Sequence, residues 1–186
     1  MPQVQKGFYF DMTVCVGCKT CQISCKDKND APIGVNFRTV RTFEGGKFPR
    51  PFIYFLSIAC NHCDNPRCVA NCPTGACHKR DEDGLVVIDP DVCIGCRYCT
   101  WSCPYGGTQY LEAEKRTGKC NGCADLTAAG KNPVCVDSCL MRALEFGDIA
   151  ELKKKHPDAV ELSVMPDYSL TSPNVLVKAK PEARRK

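Results

Sequence analysis

Apolar residues in this chain come in short runs. Gly7 to Met12 (GFYFDM) and Ala143 to Phe146 (ALEF) are strand signals towards the two ends, and Leu85 to Ile88 is a third, preceded by the hairpin-turn pair Asp83-Gly84. The segment 26–56 reads as an extended excursion, strand-forming on both sides of a turn at Gly45-Gly46. The longest apolar stretch, Pro51 to Cys60 (PFIYFLSIAC), is about half of the ~20 residues a membrane span needs. Ile149 to Lys155 supports one helical turn or two, after which Pro157, Pro166, Pro173 and Pro181 prevent any long helix. Such a tail either wraps the body or docks on another subunit. Its last residues, Arg184, Arg185 and Lys186, read as a solvated end. The pattern predicts an α+β fold with irregular loops and an extended C-terminal tail.

Composition changes this picture. Hydrophobic residues make up 44% of the 186, but 17 are cysteine, so cross-links or inorganic centres must replace part of the core. Sixteen cysteines fall into four groups of four. Group one is Cys15, Cys18, Cys21 and Cys25 (C-x2-C-x2-C-x3-C), and group two is Cys60, Cys63, Cys68 and Cys72 (C-x2-C-x4-C-x3-C), followed by Pro73. Group three, Cys93, Cys96, Cys99 and Cys103 followed by Pro104, repeats the spacing of group one; group four is Cys120, Cys123, Cys135 and Cys139 (C-x2-C-x11-C-x3-C). Cys77 is left over.

A tight loop with a ligand every third residue curls around one cubane and aims three sulfurs at three irons. The fourth cysteine, three residues further on, points away and reaches the neighbouring cluster. Proline directly after it can take an early helical position, where its missing N–H costs little. Two other chemistries fit less well. A disulfide framework needs an oxidising compartment and usually an even count, and the count here is odd. Structural zinc uses paired C-x2-C knuckles, whereas groups one and three carry a third cysteine that zinc ribbons do not need.

Groups two and three, joined by a strand–turn–strand segment, form one contiguous ferredoxin-like unit at 57–105. Groups one and four are left to pair across it, with Gly7–Met12 and Ala143–Phe146 as closing strands of a discontinuous unit, 1–56 and 106–150, and 151–186 is an extension suited to partner docking. The expected architecture is therefore two nested bacterial-ferredoxin-like units with two [4Fe-4S] clusters each. Cross-ligation assigns Cys15, Cys18, Cys21 and Cys139 to cluster A, and Cys120, Cys123, Cys135 and Cys25 to cluster B. Cluster C takes Cys60, Cys63, Cys68 and Cys103; cluster D takes Cys93, Cys96, Cys99 and Cys72. Spacing alone leaves open a sequential pairing of group one with two and three with four.

The formal charge of +4 belongs to the chain without clusters. With four thiolates each oxidised cubane site carries about −2, so four sites bring the loaded protein to about −4. The lysines and arginines then read as compensation for clusters, and no basic run interleaved with aromatics supports nucleic-acid binding. The opening MPQVQKGFYFDMTVC has no apolar h-region, cleavage site or paired arginines. The expectation is a soluble chain without direct membrane insertion, touching a membrane only through a partner.

Other residues take lesser roles. Cys77 reads as a buried thiol packing as a small hydrophobe. His62, inside the group-two loop, supports ligands that are already four cysteines. Trp101 and Tyr98, on the group-three turn, are expected to pack over the cluster and exclude water. Lys19, Lys26, Arg67 and Arg97 flank ligands and can raise nearby potentials.

The groups CVGCKTCQISC, CNHCDNPRCVANCP, CIGCRYCTWSCPYG and CNGC…PVCVDSC, in that order, resemble the four-cluster iron–sulfur subunits of molybdopterin oxidoreductase complexes, above all those of dimethyl sulfoxide reductase. The likeness covers about residues 7–150 plus PNVLVK, including stretches without ligands such as LSIACNHC, ACHKRDEDGLVVID and MRALEFGDI. It implies the nested pairing and a linear wire, with A nearest a large molybdopterin-containing catalytic subunit and D nearest a membrane anchor or other quinol-side partner. Relatives such as respiratory nitrate reductase have Trp at the third position of group two and a [3Fe–4S] centre there; Cys68 implies four cubanes here. The sequence shows no nucleophile–base pair, cofactor loop or open metal position, so the isolated chain is expected to be a non-catalytic electron carrier of an oxidoreductase complex in anaerobic respiration. Rival readings are a conduit of a formate dehydrogenase or hydrogenase-type complex and a free polyferredoxin. Membrane association through partners leaves the side open, because a catalytic partner can carry the export signal for both.

Overall fold

The computed structural model describes residues 4–185. Along the chain run β1 (Lys6–Asp11), α1 (Thr20–Lys28), β2 (Thr39–Lys47), β3 (Arg50–Ile58), α2 (Arg67–Ala70), β4 (Cys77–Lys79), β5 (Val86–Ile88) and α3 (Tyr98–Ser102). There follow β6 (Thr108–Leu111), β7 (Arg116–Lys119), α4 (Ala124–Ala128), α5 (Val134–Asp137), β8 (Leu144–Asp148), α6 (Ile149–Lys155) and β9 (Val175–Lys178). It is a mixed helix–strand fold of short elements.

The strand signals at the two ends pair with each other. In a three-stranded sheet β1 lies between β8, antiparallel with Phe8 opposite Phe146, and β9, parallel with Phe10 opposite Val177. A central strand covered on both faces reads as an unbroken apolar run, which is what GFYF is. Phe8, Tyr9 and Phe10 are all buried. Tyr9 stacks on His156, just beyond α6, with ring centroids 3.5 Å apart. The segment at 77–88 forms the hairpin β4–β5, with Gly84 at φ 67 in its loop.

The excursion at 26–56 ends in the hairpin β2–β3, but the turn differs from the expected one. Gly45 and Gly46 lie within β2, and Phe48-Pro49 makes the turn between Lys47 and Arg50. The glycines are there because the partner strand comes too close for a side chain. A Cβ on Gly46 would run into the Arg50 carbonyl oxygen, and one on Gly45 would lie 2.5 Å from the Phe52 ring.

Of the two fates open to the tail, it wraps the body. Besides supplying β9, it buries Leu162, Val177, Ala179 and Ala183 almost completely, and Leu162 forms a bridge with Arg184. Asn174 donates from Nδ2 to the His62 carbonyl and to Asp64 Oδ1, both at 2.9 Å. The reading of the last residues as a solvated end is corrected at Arg185, which donates to the carbonyls of Leu162 and Met165 and pairs with Asp167 and Glu161. Lys186 lies outside the described residues.

The main core joins Phe10, Met12, Leu56, Leu144, Leu162 and Val177 with Cys21, Cys60, Cys120 and Cys135; a smaller cluster holds Cys68, Cys77, Val86 and Cys99. Cysteines are thus part of the packing itself.

Candidate metal centres

Each ligand loop turns through a left-handed residue just before its second cysteine. Gly17, Gly95 and Gly122 hold that place in groups one, three and four, with φ of 70, 68 and 69. In group two His62 takes it, at φ 45, a conformation glycine adopts freely and histidine only when its surroundings fix it. The third cysteine then begins a short helix. On α1, Cys21 and Cys25 stand four residues apart and so share a face, both buried.

Neighbours on one helix nevertheless serve different recesses. One recess of about 340 Å³ is lined by Cys15, Cys18 and Cys21 together with Cys139 from the far end of the ligand series. A second, also about 340 Å³, is lined by Cys60, Cys63 and Cys68 with Cys103. A third, about 300 Å³, is lined by Cys93, Cys96 and Cys99 with Cys72, and Cys77 reaches its wall. The remaining four, Cys25, Cys120, Cys123 and Cys135, sit among one another's charges, and all four are buried. Among the described residues no three His, Cys, Asp or Glu side chains converge on a point suited to a single ion. The sulfurs instead border spaces, as a group with four irons requires.

Each quartet neighbours the next. Cys21 of the first feels Cys135 of the second, Cys120 of the second feels Cys60 of the third, and Cys99 of the fourth feels Cys68 of the third. Exposure follows the same order. The second quartet is wholly buried, whereas Cys18 in the first is exposed and Cys72, Cys93 and Cys96 in the fourth are half-buried.

Hydrogen bonds aim at the sulfurs. Backbone N–H groups of Cys77, Gly107 and Ala143 donate to the fourth cysteine of three groups, Cys72, Cys103 and Cys139, each at 3.3 Å. His62 and Gly122 donate likewise to Cys60 and Cys120, at 3.4 Å. Such donors stabilise negative charge on sulfur and help set a cluster's potential. Burial pushes the bare thiols up, Cys25 to about 11 and Cys63 and Cys120 to about 12. As ligands they would bind iron as thiolates, releasing their protons to solvent.

Two buried cations were not anticipated from the sequence. Arg38 is 2% exposed; its Nη1 donates to Ser57 Oγ at 3.1 Å, while Nε and Nη2 have no hydrogen-bond partner. Ser57 Oγ is in turn 3.3 Å from Cys21 Sγ. Lys119, 7% exposed, gives its ammonium to the carbonyls of Val86 and Cys120. Burial works against both charges, but neighbouring thiolates outweigh it and hold both pKa values above the ordinary range. The neighbours are Cys135, Cys120, Cys21 and Cys25 for Arg38, and Cys60, Cys120 and Cys68 for Lys119. Among the described residues neither cation is paired with a carboxylate. An unpaired buried charge costs several kcal/mol. Anionic clusters in the recesses would supply the missing counter-charge, so the residues present fit such groups in spacing and sign. One signal was available for Lys119: on β7 it shares an inward-facing side with Thr117, directly before Cys120.

His62 is fully buried, its Nδ1 accepting from Val86 N at 3.0 Å. Cys77 is buried at 2%, and its thiol, hydrogen-bonded to Cys68, is held protonated while Cys68 is held down. The expectation for Trp101 and Tyr98 is corrected. They are 71% and 51% exposed and pack against each other on the surface, because the short helix α3 turns only Cys99 inward. Lys26 ties down the 32–35 loop through the Pro32 and Val35 carbonyls, and Arg97 lies 3.6 Å over the Tyr110 ring.

Comparison with known proteins matches residues 51–149 to the family described as a 4Fe-4S dicluster domain. The chain belongs to the 4Fe-4S dicluster family. Relatives of this 4Fe-4S dicluster protein include the iron–sulfur subunit of anaerobic dimethyl sulfoxide reductase from Escherichia coli (strain K12), 48% identical over 188 residues that cover 97% of this chain and 91% of the relative. A sulfite dehydrogenase subunit from Allochromatium vinosum is 39% identical over 166 residues, covering 78% and 69%. Protein NrfC of Escherichia coli (strain K12) is 38% identical over 148 residues, covering 78% and 66%. This member of the 4Fe-4S dicluster family is an iron–sulfur electron-transfer subunit homologous to that of dimethyl sulfoxide reductase.

Proposed function

We propose that the chain carries four [4Fe-4S] clusters and conducts electrons between a molybdopterin catalytic subunit, of the dimethyl sulfoxide reductase kind, and a membrane or quinol-side partner. Cluster A is held by Cys15, Cys18, Cys21 and Cys139, B by Cys25, Cys120, Cys123 and Cys135, C by Cys60, Cys63, Cys68 and Cys103, and D by Cys72, Cys93, Cys96 and Cys99. The observation that carries this reading is the composition of the three recesses: each borders three cysteines of one group and the fourth of another. When bound, each cluster accepts and releases one electron. The chain's own residues space the clusters in a line, bury the middle of it and aim N–H groups at the sulfurs.

The division into two nested units, 1–56 with 106–150 around 57–105, is supported by the β1–β8 pairing outside and the β4–β5 hairpin inside. Docking at both ends of the wire is supported by exposed apolar side chains there. Val16, Ile23 and Leu140 surround the first quartet and Ile94, Tyr98 and Trp101 the fourth. The outer side of 151–186 offers a further contact. Among the described residues no helix is long and apolar enough to cross a membrane, so we assign any membrane contact to a partner.

Iron and sulfide analysis of the purified chain tests the cluster count: about sixteen irons are expected, four per cubane, and fewer than about twelve would sink it. Co-purification with a molybdopterin-containing subunit tests the partner, and a chain that always elutes alone would count against it.

A further inference from the structure

The two buried cations stand at the junctions of the line. Arg38 lies where the first quartet meets the second, reaching Cys21 through Ser57 and facing Cys135, Cys120 and Cys25. Lys119 lies where the second meets the third, its ammonium on the carbonyls of Cys120 and of Val86, a residue that lines the recess of Cys60, Cys63, Cys68 and Cys103. Two of the Arg38 nitrogens are buried without a hydrogen-bond partner, although arginine keeps five donors that ordinarily find acceptors. Among the described residues no comparable buried cation stands directly beside the ligands of the fourth quartet, whose cationic neighbour Arg97 is 43% exposed and engaged with Tyr110 and Glu112.

We propose that Arg38 and Lys119 are positioning residues that set the potentials of the wire, Arg38 raising clusters A and B, Lys119 raising B and C, and neither acting on D. The inference rests on the four-cluster reading above. The step concerned is simple: one electron from a chemical reductant enters a cluster site, taking its charge from about −2 to −3, with no bond made or broken and no proton moved. A fixed positive charge in a low-dielectric junction favours the more negative form, so it raises the potential. Cluster B, flanked by both cations, receives both contributions. Electrons supplied singly would therefore settle first in the buried middle of the line, away from solvent.

The test is an EPR-monitored redox titration of the full chain in its purified complex, with iron analysis of every sample. Arg38→Gln is expected to lower two of the four potentials and Lys119→Met two, one of them in common. At fixed ambient potential each affected cluster should shift at least tenfold towards its oxidised form, equivalent to 59 mV for one electron. One potential should stay unchanged in both variants, and Arg38→Lys and Lys119→Arg should restore the wild-type values. Full iron with all four potentials at wild-type values would overturn the proposal, as would an equal fall in all four. If the neutral variants lose iron, the charge-conserving ones decide: full iron with wild-type potentials supports the proposal, and loss of iron there too overturns it by showing a need for shape. Failure of the underlying reading would look different, as a wild-type chain with fewer than about twelve irons.

Discussion

Ser57 stands between a ligand and a charge, its hydroxyl 3.3 Å from Cys21 Sγ and 3.1 Å from Arg38 Nη1. Ser57→Ala leaves Arg38 Nη1 with only the longer bond to the Ser57 carbonyl, at 3.4 Å. We expect a loss of about 1–3 kcal/mol in chemical unfolding, the usual net worth of a hydrogen bond from a charged donor. Ser57→Thr, which keeps the hydroxyl, should recover most of it. Cys77 predicts the opposite kind of result. It is buried in one cluster with Cys68 but is the seventeenth cysteine, one more than the sixteen proposed as ligands. Cys77→Ala should keep the full iron content and cost on the order of 1 kcal/mol for the small void it leaves. A loss of about four irons per chain would instead make Cys77 a ligand.

At the scale of elements, α6 is held to the sheet by Glu145 on β8. Burial disfavours its charge, but Lys155, donating at 2.7 Å, and His156, whose Nε2 lies 3.3 Å from the carboxylate, outweigh this and keep its carboxyl below the usual range. A lowered pKa means stability that is present above the unfolded carboxylate value, about 4.3, and lost as pH falls through the folded one. Glu145→Gln should therefore be less stable than wild type at neutral pH, and the two urea-unfolding curves should draw together below about pH 4. Parallel curves at all pH values would show that the carboxylate contributes nothing. The tail offers a second test: Asn174→Ala removes the donor to the His62 carbonyl and Asp64 and should lower stability by about 1–3 kcal/mol.

These elements also show how far the sequence could be read. GFYF and ALEF were legible as strands because apolar runs between turn residues have few other uses, and the cysteine spacing dictates the loops that carry it. The turn at Phe48-Pro49 was masked by Gly45-Gly46, a pair that serves cross-strand approach as readily as chain reversal. β9 was obscured by the prolines around it, and β6–β7 has too few apolar residues to alternate visibly. Arg38 was illegible for a different reason. A cation in a short segment reads as a surface residue unless the negative group it faces is already in place. Here that group comes from cysteines far away in the chain, so the burial of Arg38 follows only from the assembled fold.

For the whole molecule the outcome is a change of sign. The chain alone has a formal charge of +4, and the four proposed clusters would carry it to about −4. At neutral pH and low salt the loaded protein should bind an anion exchanger and the iron-free chain a cation exchanger. Loaded protein that still binds the cation exchanger would contradict four anionic sites. The same reversal places attraction where partners meet the wire, since the largest charges belong to the clusters and the outermost quartets are the most open.

The position of β1 has one more consequence, for biosynthesis. β1, the middle strand of its sheet, leaves the ribosome before either neighbour, and one of them, β9, follows only at Val175–Lys178. Until then β1 has an unpaired edge, and until Cys139 emerges the group-one cysteines lack the fourth wall of their recess. Closure is thus a late, long-range event, slow to nucleate because the contacts that reward it span almost the entire polypeptide. Iron delivered before Cys139 emerges would meet a half-built first site, so metallation there waits until both distant cysteine groups are present.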